Sequence, residues 1–494
     1  MAVPQFDSLD LGPLSERKMY SLYRVEHSPS SWSSSMAISA VPIADEVRGH
    51  VVGEMKETQA VLPESVAQKV RGTPMKVYAG FMGGQSLIQA ISLVVGIIVV
   101  NQLSKAEYSY YTIAFTVVSA ITVLGNSGFS SAILSRGAKL RSDRHELSRL
   151  VLSIISLRRR VFVIVVMIVG PLTWILLRRN GASTHTTLTL VSLVMLTSAA
   201  MTSFTVFNDL LALEYERARL QVVSISGAFL RLAGAVWLLA WPMKAAAVPV
   251  AVNAMVIFLS IRMQKTSVRK LIDLRAPTKN QFRQLAMRNF AKLLPVNLFV
   301  VLQGQVIVFY LGVLGQTETL AEVGALGRFS TAFAVISVSM SMLAGPIVAR
   351  ASTERVAITY FGILSCAIPL IFVLVACVSA LSPHLLPLLG TQYSGLEAEL
   401  RVMFAAGAII CVGEVLRTLN QARGWIGLSW LQIPITILAI GSGVALLDMS
   451  SAMGACVFSV VVSAPAPTCQ LIQMTVGMKN RQRTDQLALA EGRA

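Results

Sequence analysis

The chain has 494 residues, of which 54% are hydrophobic and only 14% charged. Soluble domains carry about 25% charge, so the composition excludes an ordinary water-soluble fold. The net charge of +17 does not point to nucleic acid either, because residues 1–75 hold 7 Lys/Arg against 9 Asp/Glu and the basic excess falls among the apolar segments that follow.

Residues 1–75 are mixed in charge, include the serine-rich stretch from Ser28 to Ser35, and offer no apolar run of spanning length. No compact apolar core follows a basic start, so they do not read as a signal peptide. They read either as a disordered cytoplasmic tail or as an over-extended start, since Met75 directly precedes the first apolar run. From residue 76 onward, runs near the ~20 residues needed to cross a ~30 Å hydrocarbon layer recur. They lack the period-2 alternation of barrel strands, and lipid admits only helices or closed barrels. The expected fold class is therefore all-α, a polytopic integral membrane protein.

Twelve spans are predicted, at 77–100, 108–134, 155–177, 186–210, 220–240, 245–262, 293–314, 324–349, 356–380, 398–419, 428–447 and 451–476. The five cysteines (Cys366, Cys377, Cys411, Cys456 and Cys469) lie in these apolar segments without metal-ligand spacing. They read as free thiols. With the N-terminus inside, and with the arginines at span ends (Arg158 to Arg160, Arg262, Arg401 and Arg417) counted with the adjoining segments, the cytoplasmic segments hold 35 Lys/Arg, and the outer segments hold only Lys105, Arg178, Arg179, Lys244 and Arg401. That is the positive-inside distribution, and it returns both termini to the cytoplasm. The basic linker 263–292 separates an N-terminal six-helix lobe (76–262) from a C-terminal one (293–476), and 477–494 form a cytoplasmic tail. Two arginines, Arg231 and Arg328, are left over inside spans.

The two lobes echo each other. Ala106-Glu107 opens the second span and Arg136 follows its end; Ala321-Glu322 and Arg350 do the same for the eighth. Leu213 to Arg217 aligns with Leu419 to Arg423 at a shift of 206 residues. A parallel 6 + 6 duplication around a central cavity is a common architecture of alternating-access carriers.

The segment Asn101-Gln102-Leu103-Ser104-Lys105-Ala106-Glu107-Tyr108-Ser109, followed by Leu124-Gly125-Asn126-Ser127-Gly128-Phe129-Ser130-Ser131-Ala132-Ile133, resembles the first hairpin of polysaccharide-type (Wzx-like) flippases. These belong to the multidrug/oligosaccharidyl-lipid/polysaccharide (MOP) exporter superfamily. The family turn commonly reads Leu-Ser-Pro-Glu-Glu-Tyr-Gly; here Lys105-Ala106 replaces Pro-Glu, Ser109 replaces Gly, and Asn126 stands near the usual Asp. The second half keeps the glycine as Gly324, and Pro387 to Tyr393 resembles the family's outer segment. The resemblance covers roughly 76–476. It implies a MATE-like arrangement of two six-helix repeats, and translocation of a polyprenyl-pyrophosphate-linked oligosaccharide to the outer leaflet of the cell inner membrane. It further implies a route into polysaccharide polymerase and export machinery, no cofactor, and H⁺ or Na⁺ as candidate coupling ions.

A charge near the bilayer centre costs ~2.5–3.5 kcal/mol on insertion scales, so its position needs a reason. Arg231 sits mid-span, where an arginine facing a cavity forks onto phosphate oxygens; the alternative is a structural pairing with a neighbouring helix. Arg328 either lines the outer part of the cavity or snorkels to the interface. Arg288 and Lys292 are explained by lipid headgroups alone. Glu414 and Arg417 share a helix face and are placed to pair. With Asn208-Asp209 at matching depth in the first half, Asp209, Glu414 and Arg417 are ion-coupling candidates, or else paired helix ends. Gln85, Gln89, Gln303, Gln305 and Asn297 suit either sugar hydroxyls or interhelical hydrogen bonds. Glu107 and Glu322 read as turn or cap residues.

Enzyme signals are absent from the sequence: no phosphate-binding glycine loop with a lysine, no metal cluster among the five histidines and no large soluble domain. The rival readings are a multidrug exporter, a peptidoglycan-precursor flippase, and a membrane polysaccharide polymerase or ligase. The first is disfavoured by cationic rather than anionic intramembrane charge. The second would carry arginine in the first span, and the third a long outer loop with arginines and acids.

Overall fold

The computed structural model describes residues 75–491 apart from 127–128, 141–142, 214–216, 241–244, 341–343, 352–354, 424 and 426–427. The readings made of residues 1–74, of Lys244 and of the Lys292 side chain lie outside the described residues. The described part is helical throughout: α1 (Met75–Gln102), α2 (Lys105–Asn126), α3 (Phe129–Lys139), α4 (Arg144–Arg179), α5 (Thr184–Leu213), α6 (Arg217–Ala240), α7 (Ala247–Leu271), α8 (Asn280–Leu314), α9 (Thr317–Leu326), α10 (Phe333–Ser339), α11 (Gly345–Arg350), α12 (Val356–Leu389), α13 (Glu397–Ala422), α14 (Gln432–Leu446), α15 (Ala452–Ser463) and α16 (Pro465–Glu491). Eleven helical stretches are long and apolar enough to cross a membrane, and the shorter apolar Gln303–Leu314 within α8 occupies the place of the seventh predicted span. This is a multi-pass membrane fold.

Several helices depart from their predicted limits: α2 ends at Asn126, α7 runs on to Leu271, α8 starts at Asn280 and α12 runs on to Leu389. Three further departures have local reasons. The third crossing begins at Arg144 rather than 155, because Asp143 caps it: its Oδ1 accepts from the amides of His145 (2.9 Å) and Glu146 (3.1 Å). A cap of this kind satisfies amides that have no partner inside the helix. The eighth crossing, expected as one helix over 324–349, starts at Thr317 and is broken by a 3₁₀ turn, Phe329–Ala332. Gly324 and Gly327 weaken helix propensity there, and Thr331 Oγ1 donates to the Arg328 carbonyl at 2.7 Å, in competition with the backbone ladder. The last crossing changes from α15 to α16 at Pro465, where the imino nitrogen has no hydrogen to donate. By contrast, Pro171, Pro295 and Pro369 lie inside continuous helices, as membrane helices allow.

Large apolar side chains such as Met167, Ile358, Phe372, Leu438 and Leu446 point outward, which hydrocarbon tolerates and water would not. Within the first six crossings, α5 packs on α7, and α6 packs on both α1 and α7. Within the last six, α13 packs on α12, α15 and α16. Lipid supplies no hydrophobic drive for this packing, so close approach at small residues matters. A Cβ at Gly234 would run into the Val252 side chain, and one at Gly443 would sit 2.6 Å from the Phe458 ring.

The two halves join at one end of the bundle, the hairpin end, where the turns after α1, α4, α8 and α12 gather. There Lys105 Nζ meets Glu322 Oε1 at 2.7 Å, Asn180 Nδ2 donates to the Gly312 carbonyl at 2.8 Å, and Gln392 Nε2 donates to the Leu103 carbonyl at 3.1 Å. Gly315, with φ 72°, packs against the Arg179 carbonyl, so a side chain is excluded there on two counts. The opposite, basic end carries a second apolar cluster that includes Phe129, Leu150, Ile154, Leu210 and Val268.

Candidate functional site

Arg231 lies midway along α6, flanked by Gly227, Ala228, Ala233 and Gly234. These small neighbours let α7 approach, and Asn253 of α7 accepts a hydrogen bond from Arg231 Nε at 3.1 Å. Arg328 comes from the other half, at the break between α9 and the 3₁₀ turn. Its Nε donates to Tyr108 Oη at 3.0 Å, and its guanidinium lies 5.4 Å from the Tyr111 ring centroid and 5.2 Å from that of Phe115. Tyr108 Oη in turn donates to the Gly324 carbonyl at 3.1 Å. Gly96 makes room for this arginine, since a Cβ there would lie 3.1 Å from Arg328 Cδ.

Both arginines line one cavity of about 450 Å³ between α1, α2, α6 and α7. Its other polar or small lining includes Ser92, Ser119, Thr122 and Asn253. Among the described residues no carboxylate forms an ion pair with either guanidinium. Each keeps its Nε occupied by a neutral acceptor, and Arg328 also hydrogen-bonds to Tyr111; the remaining guanidinium nitrogens are donors for something else. Two cations in apolar surroundings make such a cavity a receptor for an anion.

A second cavity, of about 280 Å³, opens between α8, α13, α14, α15 and α16. Gln303 Nε2 donates to the Val462 carbonyl at 3.3 Å, and its Oε1 accepts from Gln432 Nε2 at 3.2 Å. Glu414 and Arg417 line this cavity and are ion-paired to each other.

The remaining predicted residues scatter. Gln85 and Gln89 are half-buried on α1 and share a helical face with Ser92 and Gly96, one to two turns towards the basic end. Gln305 and Asn297 are half-buried on α8, and neither lines the two cavities. Asp209 accepts from Ser130 Oγ at 2.6 Å and is not brought together with Glu414. Asn208 accepts from Gln264 at 2.5 Å. Glu107 caps α7, accepting from the Ala246 amide at 2.6 Å, while Glu322 is held by Lys105. Arg288 is exposed.

Sequence reasoning missed three residues: Asn253, Tyr108 and Arg158. Arg158 was counted with a basic loop, yet it is 2% exposed on α4. Asp209 is the carboxylate whose charge acts on it, and the Phe129 ring lies 5.8 Å away. Among the described residues no cluster of His, Cys, Asp or Glu suits a metal ion.

Several solved structures share this fold. An inward-facing multidrug resistance MATE family transporter of the MOP superfamily aligns over 81% of this chain and 96% of its own, at TM-score 0.58 and 14% identity. The lipid II flippase MurJ, in an inward closed conformation, aligns over 82% and 90%, at TM-score 0.61 and 12% identity. A MOP superfamily transporter from Pyrococcus furiosus, described by the reverse polarity of its binding pocket, aligns over 81% and 94%, at TM-score 0.55 and 14% identity. No protein-family model and no curated protein sequence matches the chain. At such identities the likeness is one of fold: the chain has the fold of MOP-superfamily transporters.

Proposed function

We propose that this protein is a flippase that carries a polyprenyl-pyrophosphate-linked oligosaccharide from the inner to the outer leaflet of the cell inner membrane. The observation that carries the reading is the cavity in which Arg231 and Arg328 converge with no carboxylate among the described residues paired to them. A small apolar drug needs no such pair, and a pyrophosphate does. In this reading 76–262 and 293–476 act as two lobes joined by the basic linker 263–292, with the basic end and both termini in the cytoplasm. The lobes rock to expose the cavity to each side in turn. The lipid tail stays in the bilayer, and an ion such as H⁺ or Na⁺ supplies the drive, with Asp209, Glu414 and Arg417 as the candidates to bind it. The product is then handed to polymerase and export machinery.

The test locates the cargo in cells. Loss of the protein should leave single lipid-linked units on the inner leaflet, and Arg231→Ala should reproduce that at normal protein abundance. Arg231→Lys, which keeps the charge but not the fork, should be intermediate. Should both variants flip cargo at the normal rate, the phosphate role of Arg231 is wrong. Units stranded on the outer leaflet instead would indicate a polymerase or ligase.

A further inference from the structure

The break in the eighth crossing gives the two cavities different walls within a single turn of chain. Arg328 lines the first cavity and Ser330, two residues on, lines the second. The two cavities therefore adjoin across one turn, yet their chemistry is opposite. The first presents two cations that have no carboxylate partner among the described residues. The second presents no net charge, because Glu414 and Arg417 are paired, and its polar wall is made of Gln303, Gln432, Gln470 and Ser330. Ser330 Oγ is a buried hydroxyl without a hydrogen-bond partner among the described residues, so its bonding capacity is unused beside this cavity. Gln303 and Gln432 hold each other by one bond, which leaves further amide donors and acceptors for an occupant.

We infer that the second cavity is a carbohydrate site, taking the sugar residues attached to the anionic group held by Arg231 and Arg328. Amides, a hydroxyl and a self-neutralised ion pair match a ligand rich in hydroxyls that both donate and accept. A diphosphate and its first sugar are joined covalently, so their sites must adjoin, as the cavities walled by Arg328 and Ser330 do. This inference rests on the flippase reading for the identity of the anion, but the sugar site has its own readout.

Gly304 provides a clean probe. It lines the second cavity, and a Cβ built there meets nothing within 4 Å, so a side chain can start at this position and Gly304→Phe adds a ring at the cavity wall. The experiment uses the full-length protein in nanodiscs and two soluble probes: inorganic pyrophosphate, and the glycan freed by mild acid from the lipid-linked pool of the source cells. Binding is followed by calorimetry. Wild type should bind both. Gly304→Phe, and separately the double variant Gln303→Leu with Gln432→Leu, should weaken glycan binding by about ten-fold or more while pyrophosphate affinity stays within about two-fold. Arg231→Ala should do the reverse. Thermal unfolding of each variant checks that it is folded, and the two variants perturb the site in different ways. Pyrophosphate binding without glycan binding by wild type, or glycan affinity untouched in both second-cavity variants, overturns the sugar site and leaves the flippase reading intact. Glycan binding that is lost in those variants, with no pyrophosphate binding at all, upholds the sugar site and overturns the anion reading.

Discussion

Replacing Glu322 with glutamine removes the ion pair that ties α9 to Lys105 at the start of α2. At 2.7 Å, the bare attraction of two unit charges is about 6 kcal/mol for an effective dielectric of ~20. Both side chains are still partly exposed, at 26% and 15%, so desolvation and screening cancel most of it. A net worth of about 1–2 kcal/mol sits between that of exposed pairs and that of fully buried ones. If the halves part at the hairpin end during transport, the bond exists only in the closed state. Its loss then shifts the closed-to-open ratio by a factor of about 5–30. The assay is the distance between nitroxides at Ser183 and Ser394, both exposed, in a background where the exposed Cys366 and Cys377 are serine. Glu322→Gln should enlarge the long-distance population. The swap Lys105→Glu with Glu322→Lys should largely restore the short one. A distribution unchanged by Glu322→Gln, or a swap no better than the single variant, would refute this account of the closure.

Three further outcomes follow from buried polar groups. Tyr108→Phe takes away both the acceptor for Arg328 and the donor to Gly324, and should cost about 1–3 kcal/mol, read as a lower unfolding midpoint in detergent. Asp209→Asn removes the acid whose charge acts on the buried Arg158 and should destabilise by about 1–2 kcal/mol; adding Arg158→Met should recover most of that in the same unfolding assay. Glu107→Ala uncaps α7 and should cost about 1 kcal/mol, seen as faster hydrogen exchange at the Ala246 amide, with α5 unaffected.

The membrane fold was legible because each crossing must satisfy its own backbone and solvate in hydrocarbon, so an apolar run of the right length declares itself. The same logic exposed Arg231 and Arg328, whose cost in lipid marks them. What the sequence hid was convergence. Nothing local says that an arginine of α6 and one from the break after α9 share a cavity, or that Gln303 faces a different cavity from Arg231. Arg158 was hidden for another reason. In Arg158-Arg159-Arg160 three adjacent arginines imitate a loop, but only the first is buried, because successive helix positions point about 100° apart. The signal that α4 begins earlier was present in Asp143-Arg144-His145-Glu146, an Asp cap with an acid three residues on. The break in the eighth crossing had a fainter signal, two glycines three residues apart.

The pair of unneutralised guanidinium groups has an electrical consequence. An empty cavity that carries them holds net positive charge inside a layer that sustains a voltage. Moving one elementary charge through a potential of 100 mV involves about 2.3 kcal/mol. A doubly anionic cargo cancels that charge, so the loaded protein is nearly blind to the field and the empty one is not. The arginines that hold the cargo would thereby also decide which half of the cycle a membrane potential accelerates.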